Sequence, residues 1–321
     1  LYTGFRLDVW MFFIEPLELD RSLRQLRRIH GDVSEDLRGW NWSNDILSPP
    51  LEGVYLSVSE IANRYCSTYR DIYLRRVLGK PAPYTYKTIK GWLYHAISSK
   101  SVQEVKSLLY RRWPCNGMKL LILLQEKKRE LIESLLTGYR VRDYLNESDM
   151  SDLRRELESL YDYVILQAAA RLDRILSEVT KIPDVESIIA RAVSMDVERL
   201  VNGRLLGLSH ELRVDIFTDK RVVIDIKTGE VRDFHKYTLA GYALAIESDL
   251  EIPIDYGIIT YLSVDEGIVK IKNMIHFIGD ELRREFIEMR DEAFNIIHNS
   301  MDPGKPPACP NYCIYYSVCN G

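Results

Sequence analysis

Short apolar runs alternate with polar turns in the second half of the chain, and this pattern predicts a core built around a sheet. Two β-branched runs, 212–217 and 222–226, flank a polar turn and so predict a hairpin. The remaining predicted elements are a strand and turn at 197–207, strands at 254–262 and 268–275, and helices at 235–247 and 280–299. The resulting order, βββαββα, favours an α/β fold.

Apolar residues recur at helical spacing through the first half of the chain. The predicted helices cover 17–29, 57–78, 88–113, 118–136, 140–179 (as a pair of helices) and 185–192. We therefore expect a helical insertion or lobe between His95 and the hairpin, next to the α/β core.

The predicted hairpin carries Asp215, Asp225 and Lys227. Successive side chains of a strand point to opposite faces, so Asp225 and Lys227 share one face. Asp215 joins them only if the turn has three residues, 219–221, because this register places it directly opposite Asp225. We predict this turn, since two convergent carboxylates form a site for Mg²⁺ or Mn²⁺. The alternative is a solvated hairpin whose charges have no catalytic part.

Lysine beside such a metal site has a chemical role. Lys227 would orient or help to deprotonate an attacking water molecule and would offset the charge of a phosphate. The three residue types together, two acids and a lysine, therefore indicate phosphodiester hydrolysis.

Composition limits the class of protein without identifying it. The 321 residues are 46% hydrophobic and 28% charged, which is typical of a globular protein. The net charge of −4 requires any nucleic-acid surface to be local. Apolar stretches such as 120–124 are far shorter than the ~20 residues of a membrane span. No signal peptide is recognised, and we expect a cytoplasmic protein that does not enter the membrane.

Three of the five cysteines, Cys309, Cys313 and Cys319, crowd a proline-rich stretch at the C-terminal end. In a cytoplasmic chain this pattern indicates metal or cluster ligands instead of disulfides. Zinc and iron–sulphur sites use four ligands, so a distant cysteine should complete the set, and Cys66 is preferred over Cys115. Thiolate ligands suit both Zn²⁺ and a [4Fe–4S] cluster. The spacing differs from the paired Cys-x-x-Cys of zinc ribbons and so favours iron.

The order of these residues resembles that of a known family. A helical histidine, the acids and lysine of the hairpin and a helical tyrosine, enclosed by the cysteines, resemble the CRISPR-associated RecB-like iron–sulphur nucleases, the Cas-four family, and above all its archaeal Csa-one type. The likeness covers most of the chain from about residue 11, through SEIANRYCSTYRDIYLRRV, GLSHELRVD, VVIDIKTG and FHKYTLAGYALAIE. It implies a restriction-endonuclease-like PD-(D/E)xK core with a mixed sheet, a helical N-terminal part and an iron–sulphur-stapled C-terminus.

The resemblance also implies a role for each matching residue. The metal ion would be held by His95, Asp215, Asp225 and the backbone carbonyl of Ile226, with His210 and His235 as alternative ligands. Lys227 corresponds to the catalytic lysine. Tyr242 corresponds to the tyrosine of a Gln-x-x-x-Tyr motif, although Thr238 stands where the family has glutamine. The [4Fe–4S] ligands, or zinc ligands as the alternative, would be Cys66, Cys309, Cys313 and Cys319, the first C-terminal spacing being one residue wider than usual.

The function implied by the resemblance is that of a metal-dependent deoxyribonuclease, an exonuclease acting on single strands or DNA ends. It would trim DNA for CRISPR spacer acquisition in antiviral defence, with spacer-integration proteins as partners. Arg70, Arg75 and Arg76 would guide the DNA strand. The alternative is a non-catalytic DNA-binding or scaffold subunit of the same assembly.

Four segments are expected along the chain. They are an N-terminal helical region with the first cluster cysteine (1–86), a helical segment with the motif histidine (87–200), the nuclease core (201–300) and the C-terminal cysteine segment (301–321).

Overall fold

The computed structural model describes residues 4–7, 16–63 and 66–320. The strands are β1 (Gly4–Leu7), β2 (Met195–Val201), β3 (Leu212–Thr218), β4 (Val222–Lys227), β5 (Tyr256–Asp265) and β6 (Ile268–Phe277). The helices are α1 (Pro16–Arg27), α2 (Val58–Ala62), α3 (Arg70–Ile72), α4 (Tyr86–Arg112), α5 (Gly117–Gly138), α6 (Glu147–Ser177), α7 (Val185–Ala192), α8 (Lys236–Leu250), α9 (Asp280–Asn299) and α10 (Tyr316–Asn320). None of these helices combines the length and the apolar character needed to cross a lipid bilayer.

The strands form one mixed sheet in the order β1-β6-β5-β4-β3-β2. Neighbouring strands are antiparallel, except that β4 and β5 run parallel. A parallel pair needs a crossover connection, and α8 provides it between β4 and β5. The predicted order βββαββα is confirmed for β2 to α9, and so is the mixed α/β class.

Helices pack on both faces of the sheet and divide the interior into two cores. On one face Val222, Ile224 and Ile226 pack with α4, α5 and α6. On the other face Val223 packs with α8 and α9. This division follows from the alternation of β4, and it places Asp225 and Lys227 on the same face as Val223.

The single helix predicted at 57–78 is wrong. α2 begins with a capping box formed by Ser57 and Glu60 and ends at Ala62. Tyr69 then adopts a left-handed conformation with φ of 56°, which no continuous right-handed helix contains. Cys66 therefore lies outside the helices, in the segment before α3. The pair of helices predicted at 140–179 is one helix, α6, preceded by a 3-10 turn.

The division of the chain into four segments stays a prediction. The central sheet takes its strands from more than one of these segments. β1 belongs to the segment 1–86 and β2 crosses the boundary between 87–200 and 201–300, yet both strands join the central sheet. The sheet is thus assembled from parts of the chain that lie far apart in sequence.

A fully buried carboxylate joins the N-terminal part of the chain to the second core. Glu247, on α8, accepts hydrogen bonds from Arg283 at 2.7 and 2.9 Å and from Arg38 at 2.8 Å. The backbone amides of Gly39 and Ile254 also donate to it, at 2.9 and 3.0 Å. Burial alone would raise the pKa of Glu247, but Arg283 and these amides hold it below its usual value.

Replacing Glu247 by alanine should destabilise the protein strongly, because Arg283 would stay buried without its carboxylate. Breaking a buried ion pair costs about 3–5 kcal/mol, so we expect Glu247→Ala to lower the free energy of unfolding by that amount in a guanidinium titration. Glu288→Ala, on the exposed side of α9, is the matched control and should change it by less than about 0.5 kcal/mol. Equal losses in the two variants would contradict this role of Glu247.

Candidate active site

The turn between β3 and β4 has the register that a pair of convergent carboxylates requires. Two cross-strand pairs define it, Ile216–Ile224 and Phe217–Val223. Continued along the strands, this register leaves three residues, 219–221, in the turn and sets Asp215 opposite Asp225. Arg221 ends the turn with φ of 58°, as a left-handed residue does in three-residue hairpin turns. The predicted three-residue turn is confirmed.

Asp215 lies against the backbone of β4, beside Asp225. Its Oδ2 accepts a hydrogen bond of 2.7 Å from the amide of Ile226, and its Oδ1 lies 3.2 Å from Nδ1 of His95. Lys227 Nζ lies 2.8 Å from Oδ2 of Asp225. Helix α4 thus brings His95 to the hairpin, and the predicted histidine, acids and lysine meet in one place.

The electrostatics of this group are dominated by burial. Burial alone would lower the pKa of His95, but the charge and hydrogen bond of Asp215 raise it above its usual value. Burial would raise the pKa of Asp215, and His95 holds it below its usual value. Burial raises the pKa of Asp225 to about 6, with Lys227 opposing the shift and Asp215 adding to it. Two buried acids on neighbouring strands favour further positive charge beside Asp225.

Tyr242 approaches the two acids from α8. Its pKa is raised well above the usual value by burial and by the charges of Asp215 and Asp225. Thr238, one turn earlier on α8, is buried, and its hydroxyl has no hydrogen-bond partner among the described residues. The charges of the two acids thus reach Tyr242, whose role at the site stays a prediction, and the short side chain of Thr238 offers no amide.

A cleft of about 620 Å³ opens beside His95 and Asp215. Its lining includes Trp92 and Lys100 of α4, Tyr139 at the end of α5, and Arg213 of β3. Trp92 lies three residues before His95 on α4 and so neighbours it on the helix surface, and Lys100 follows Trp92 by eight residues, about two turns. The cleft connects Asp215 and His95 to the surface of the protein.

Glu198 is a further site residue, which the sequence pattern alone does not identify. It lines the same cleft, accepts a hydrogen bond of 3.1 Å from Ser99 Oγ, and has φ of 54°. The cross-strand pairs on either side of it set Glu198 next to Asp215. Strand pairing between β2 and β3 is the signal that would have found it.

The two histidines that were considered as alternative metal ligands lie in environments that differ from that of His95. His210 is exposed and lies 3.8 Å from Glu211. His235 is buried, and its Nδ1 lies 3.0 Å from the hydroxyl of Tyr261. Burial, with the charges of Lys227 and Arg232, lowers the pKa of His235 to about 3. Of the three histidines considered, His95 is the one in contact with an acid of the hairpin.

Residues next to Cys66 form hydrogen bonds with the C-terminal segment. Thr68 Oγ1 lies 3.3 Å from the sulphur of Cys66 and donates to the carbonyl of Gly304 at 2.8 Å. Arg70 donates three hydrogen bonds of 2.8, 2.9 and 3.2 Å to Asp302, and its Nη1 lies 3.5 Å from the sulphur of Cys319. The expected proximity of the first cysteine to the C-terminal ones is supported by these contacts.

The arginines that were expected to guide DNA form ion pairs inside the chain. Arg70 pairs with Asp302, and Arg75 and Arg76 both pair with Glu60. Their contacts therefore fasten the cysteine region to the rest of the protein.

Cys313 is the most protected of the C-terminal thiols. Burial raises its pKa to about 12, and Asp71, Cys309 and Cys66 add to the shift. The charges of Cys309 and Cys66 thus reach Cys313, and a bound metal would offset them. Cys115 instead belongs to the first core, with α4 and α5, and burial raises its pKa. The preference for Cys66 over Cys115 agrees with this separation.

Within the part of the chain that the structure describes, no three His, Cys, Asp or Glu side chains converge closely enough to hold a metal ion as they stand. At the hairpin, the acids are engaged by His95, Lys227 and the Ile226 amide. Both predicted ligand sets therefore stay predictions.

These features define a mixed α/β protein with a buried site of two acids, a lysine and a histidine. The chain belongs to the family described as CRISPR-associated exonuclease Csa1, whose model matches residues 11–321. A relative from Saccharolobus solfataricus, named CRISPR-associated exonuclease Csa1, is 36% identical over 316 residues, which is 97% of this chain and 100% of the relative. A relative of the same name from Thermoproteus tenax is 30% identical over 306 residues, 94% of this chain and 98% of the relative. The family resemblance found in the sequence is confirmed.

Proposed function

We propose that this chain is a metal-dependent DNA exonuclease that acts on single strands or DNA ends through a restriction-endonuclease-like PD-(D/E)xK core. One observation carries the proposal. The carboxylate of Asp215 is held at the amide of Ile226, in contact with His95 and opposite the Asp225–Lys227 pair. The names of the two relatives support the exonuclease activity.

Each residue at the hairpin has its own role in the proposed hydrolysis. His95, Asp215, Asp225 and the Ile226 carbonyl would hold Mg²⁺ or Mn²⁺, and the ion would supply the positive charge that activates water and stabilises charge at the phosphate. Lys227 orients the attacking water and offsets the charge of the scissile phosphate. Asp225 fixes the position of Lys227, and Tyr242 contacts the substrate strand from α8.

The cysteines have a structural task in this proposal. Cys66, Cys309, Cys313 and Cys319 would hold a [4Fe–4S] cluster, or zinc as the alternative, since both accept four thiolates. The contacts of Thr68 and Arg70 with the C-terminal segment support this pairing of distant parts. The cluster would link residues 302–319 to the segment that precedes α3.

The biological task that we propose is the trimming of DNA for CRISPR spacer acquisition, together with the spacer-integration proteins. The family description and the names of the relatives support the link to CRISPR. A second candidate is a non-catalytic DNA-binding or scaffold subunit of the same assembly. It is favoured by the mutual pairing of His95 with Asp215 and of Lys227 with Asp225.

Substitutions on the hairpin separate the two candidates. We expect Asp225→Ala and Lys227→Ala each to reduce Mn²⁺-dependent degradation of single-stranded DNA by at least about 100-fold, because each removes a charge that takes part in the reaction. Asp219→Ala and Lys220→Ala change the same residue types in the turn of the same hairpin, outside the site, and should keep the native rate. Native rates in all four variants would refute the hairpin as the active site, and a native protein that does not degrade DNA with Mn²⁺ would establish the scaffold candidate instead.

Metal analysis of the cysteine variants tests the cluster. Anaerobically purified protein should contain iron and show the visible absorption of sulphur-to-iron charge transfer, and Cys313→Ser should lose both. Cys115→Ser is the matched control, a buried cysteine of the first core, and should retain both. A colourless protein with zinc in place of iron would establish the alternative, and equal metal loss in the two variants would contradict the ligand set.

A further inference from the structure

An exposed group of aromatic side chains lies at the rim of the cleft that leads to the hairpin. Trp92 is 39% exposed and Tyr139 is 38% exposed, and both line this cleft. Tyr84 and Tyr144, which are 53% and 45% exposed, continue the group outwards. We call these four residues the aromatic rim.

The rings of the aromatic rim form a continuous series. The centroids of Trp92 and Tyr139 are 6.3 Å apart, those of Trp92 and Tyr84 are 5.3 Å apart, and those of Tyr84 and Tyr144 are 4.8 Å apart. The contacts of Tyr84 with both of its neighbours are edge to face. A connected apolar surface of this kind is uncommon on a protein unless it binds something.

The inner end of the series reaches the candidate active site. Trp92 precedes His95 by three residues on α4, so the two side chains are neighbours on the helix surface. Tyr139 and Glu198 both line the cleft, and burial and the charge of Glu198 raise the pKa of Tyr139. A molecule that lies on the aromatic rim would therefore extend directly to the hairpin.

The charges of the cleft indicate what this molecule is. Lys100 and Arg213 line the cleft, are exposed, and form no ion pair with the residues that the structure describes. Lys100 donates a hydrogen bond of 3.1 Å to Gln103, and the acids Glu198 and Asp215 belong to the same lining. A cleft that combines available cations with a row of aromatic rings matches the backbone phosphates and the base faces of a nucleic acid. In a duplex the base faces are covered by neighbouring base pairs, whereas unpaired bases can stack on protein rings.

We propose that the aromatic rim is a stacking platform for the unpaired nucleotides of a DNA strand whose backbone enters the cleft past Lys100 and Arg213. This inference rests on the proposed nuclease function and adds the residues that position the strand and favour unpaired over paired nucleotides. Trp92 lies three residues before His95 on α4, and Tyr144 lies at the outer end of the rim. The platform positions the strand and takes no part in the chemical step.

Binding without metal tests the platform independently of cleavage. Fluorescence anisotropy in EDTA would follow a fluorescein-labelled 15-nucleotide oligothymidylate and a blunt duplex of 15 base pairs, at one fixed salt concentration. Trp92→Ala should weaken binding of the single strand by about tenfold, as the loss of one base–ring stack does, and should leave the duplex affinity unchanged. Trp92→Phe, which keeps a ring, should restore affinity to within about twofold of the native protein.

Trp42→Ala is the matched control, because Trp42 is 40% exposed but lies outside the cleft lining. Tyr144→Ala provides a second variant on the platform, in case the α4 substitution disturbs folding as judged by the thermal unfolding midpoint. The proposal is overturned if both platform variants bind the single strand as Trp42→Ala does. It is overturned as well if the platform variants lose affinity for the single strand and for the duplex equally, because the rim would then have no preference for unpaired nucleotides.

Cleavage by the native protein with Mn²⁺ is recorded separately from these affinities. Native cleavage with no effect of Trp92→Ala on binding refutes the platform alone. Selective loss of single-strand binding without any native cleavage supports the platform and refutes the proposed nuclease function.

Discussion

The hydrogen bond between the Ile226 amide and Asp215 determines where the first acid of the site lies. It depends on the three-residue turn at 219–221, because a shift of one residue along a strand moves its side chains to the other face of the sheet. Once the two acids are buried side by side, their charge requires nearby cations. His95 and Lys227 meet part of this requirement at 3.2 and 2.8 Å. The remaining negative charge of the two acids is the reason why we propose a metal ion at this site.

Two connections between distant parts of the chain support this arrangement. Glu247 binds Arg38 across 209 residues of sequence and thereby fixes α8, the helix that carries Tyr242. Arg70 binds Asp302 across 232 residues and holds the cysteine segment in place. The entropic cost of closing such long loops grows only slowly with their length. The buried pair of Glu247 with Arg38 and the bidentate pair of Arg70 with Asp302 therefore contribute to joining distant parts of the chain.

Much of the hairpin was predictable because strand periodicity is local. The alternation of 222–227 and the length of the turn together define which side chains share a face, and the structure has this register. The broken helix after Ala62 was not predictable from apolar spacing, because the left-handed Tyr69 leaves no mark in that pattern. Glu198 and the aromatic rim depend on contacts between β2 and β3 and between α4 and α5. Such tertiary neighbours cannot be read from one sequence without knowing the pairing.

A manganese-soaked crystal with anomalous diffraction tests the central claim most directly. The account predicts one strong anomalous peak at the hairpin, with oxygens of Asp215 and Asp225 and a nitrogen of His95 at roughly the 2.1 Å typical of small divalent cations. His95 and Asp215 would then share the ion in place of their direct contact. A crystal with saturating Mn²⁺ and no peak within reach of these three residues would contradict the account.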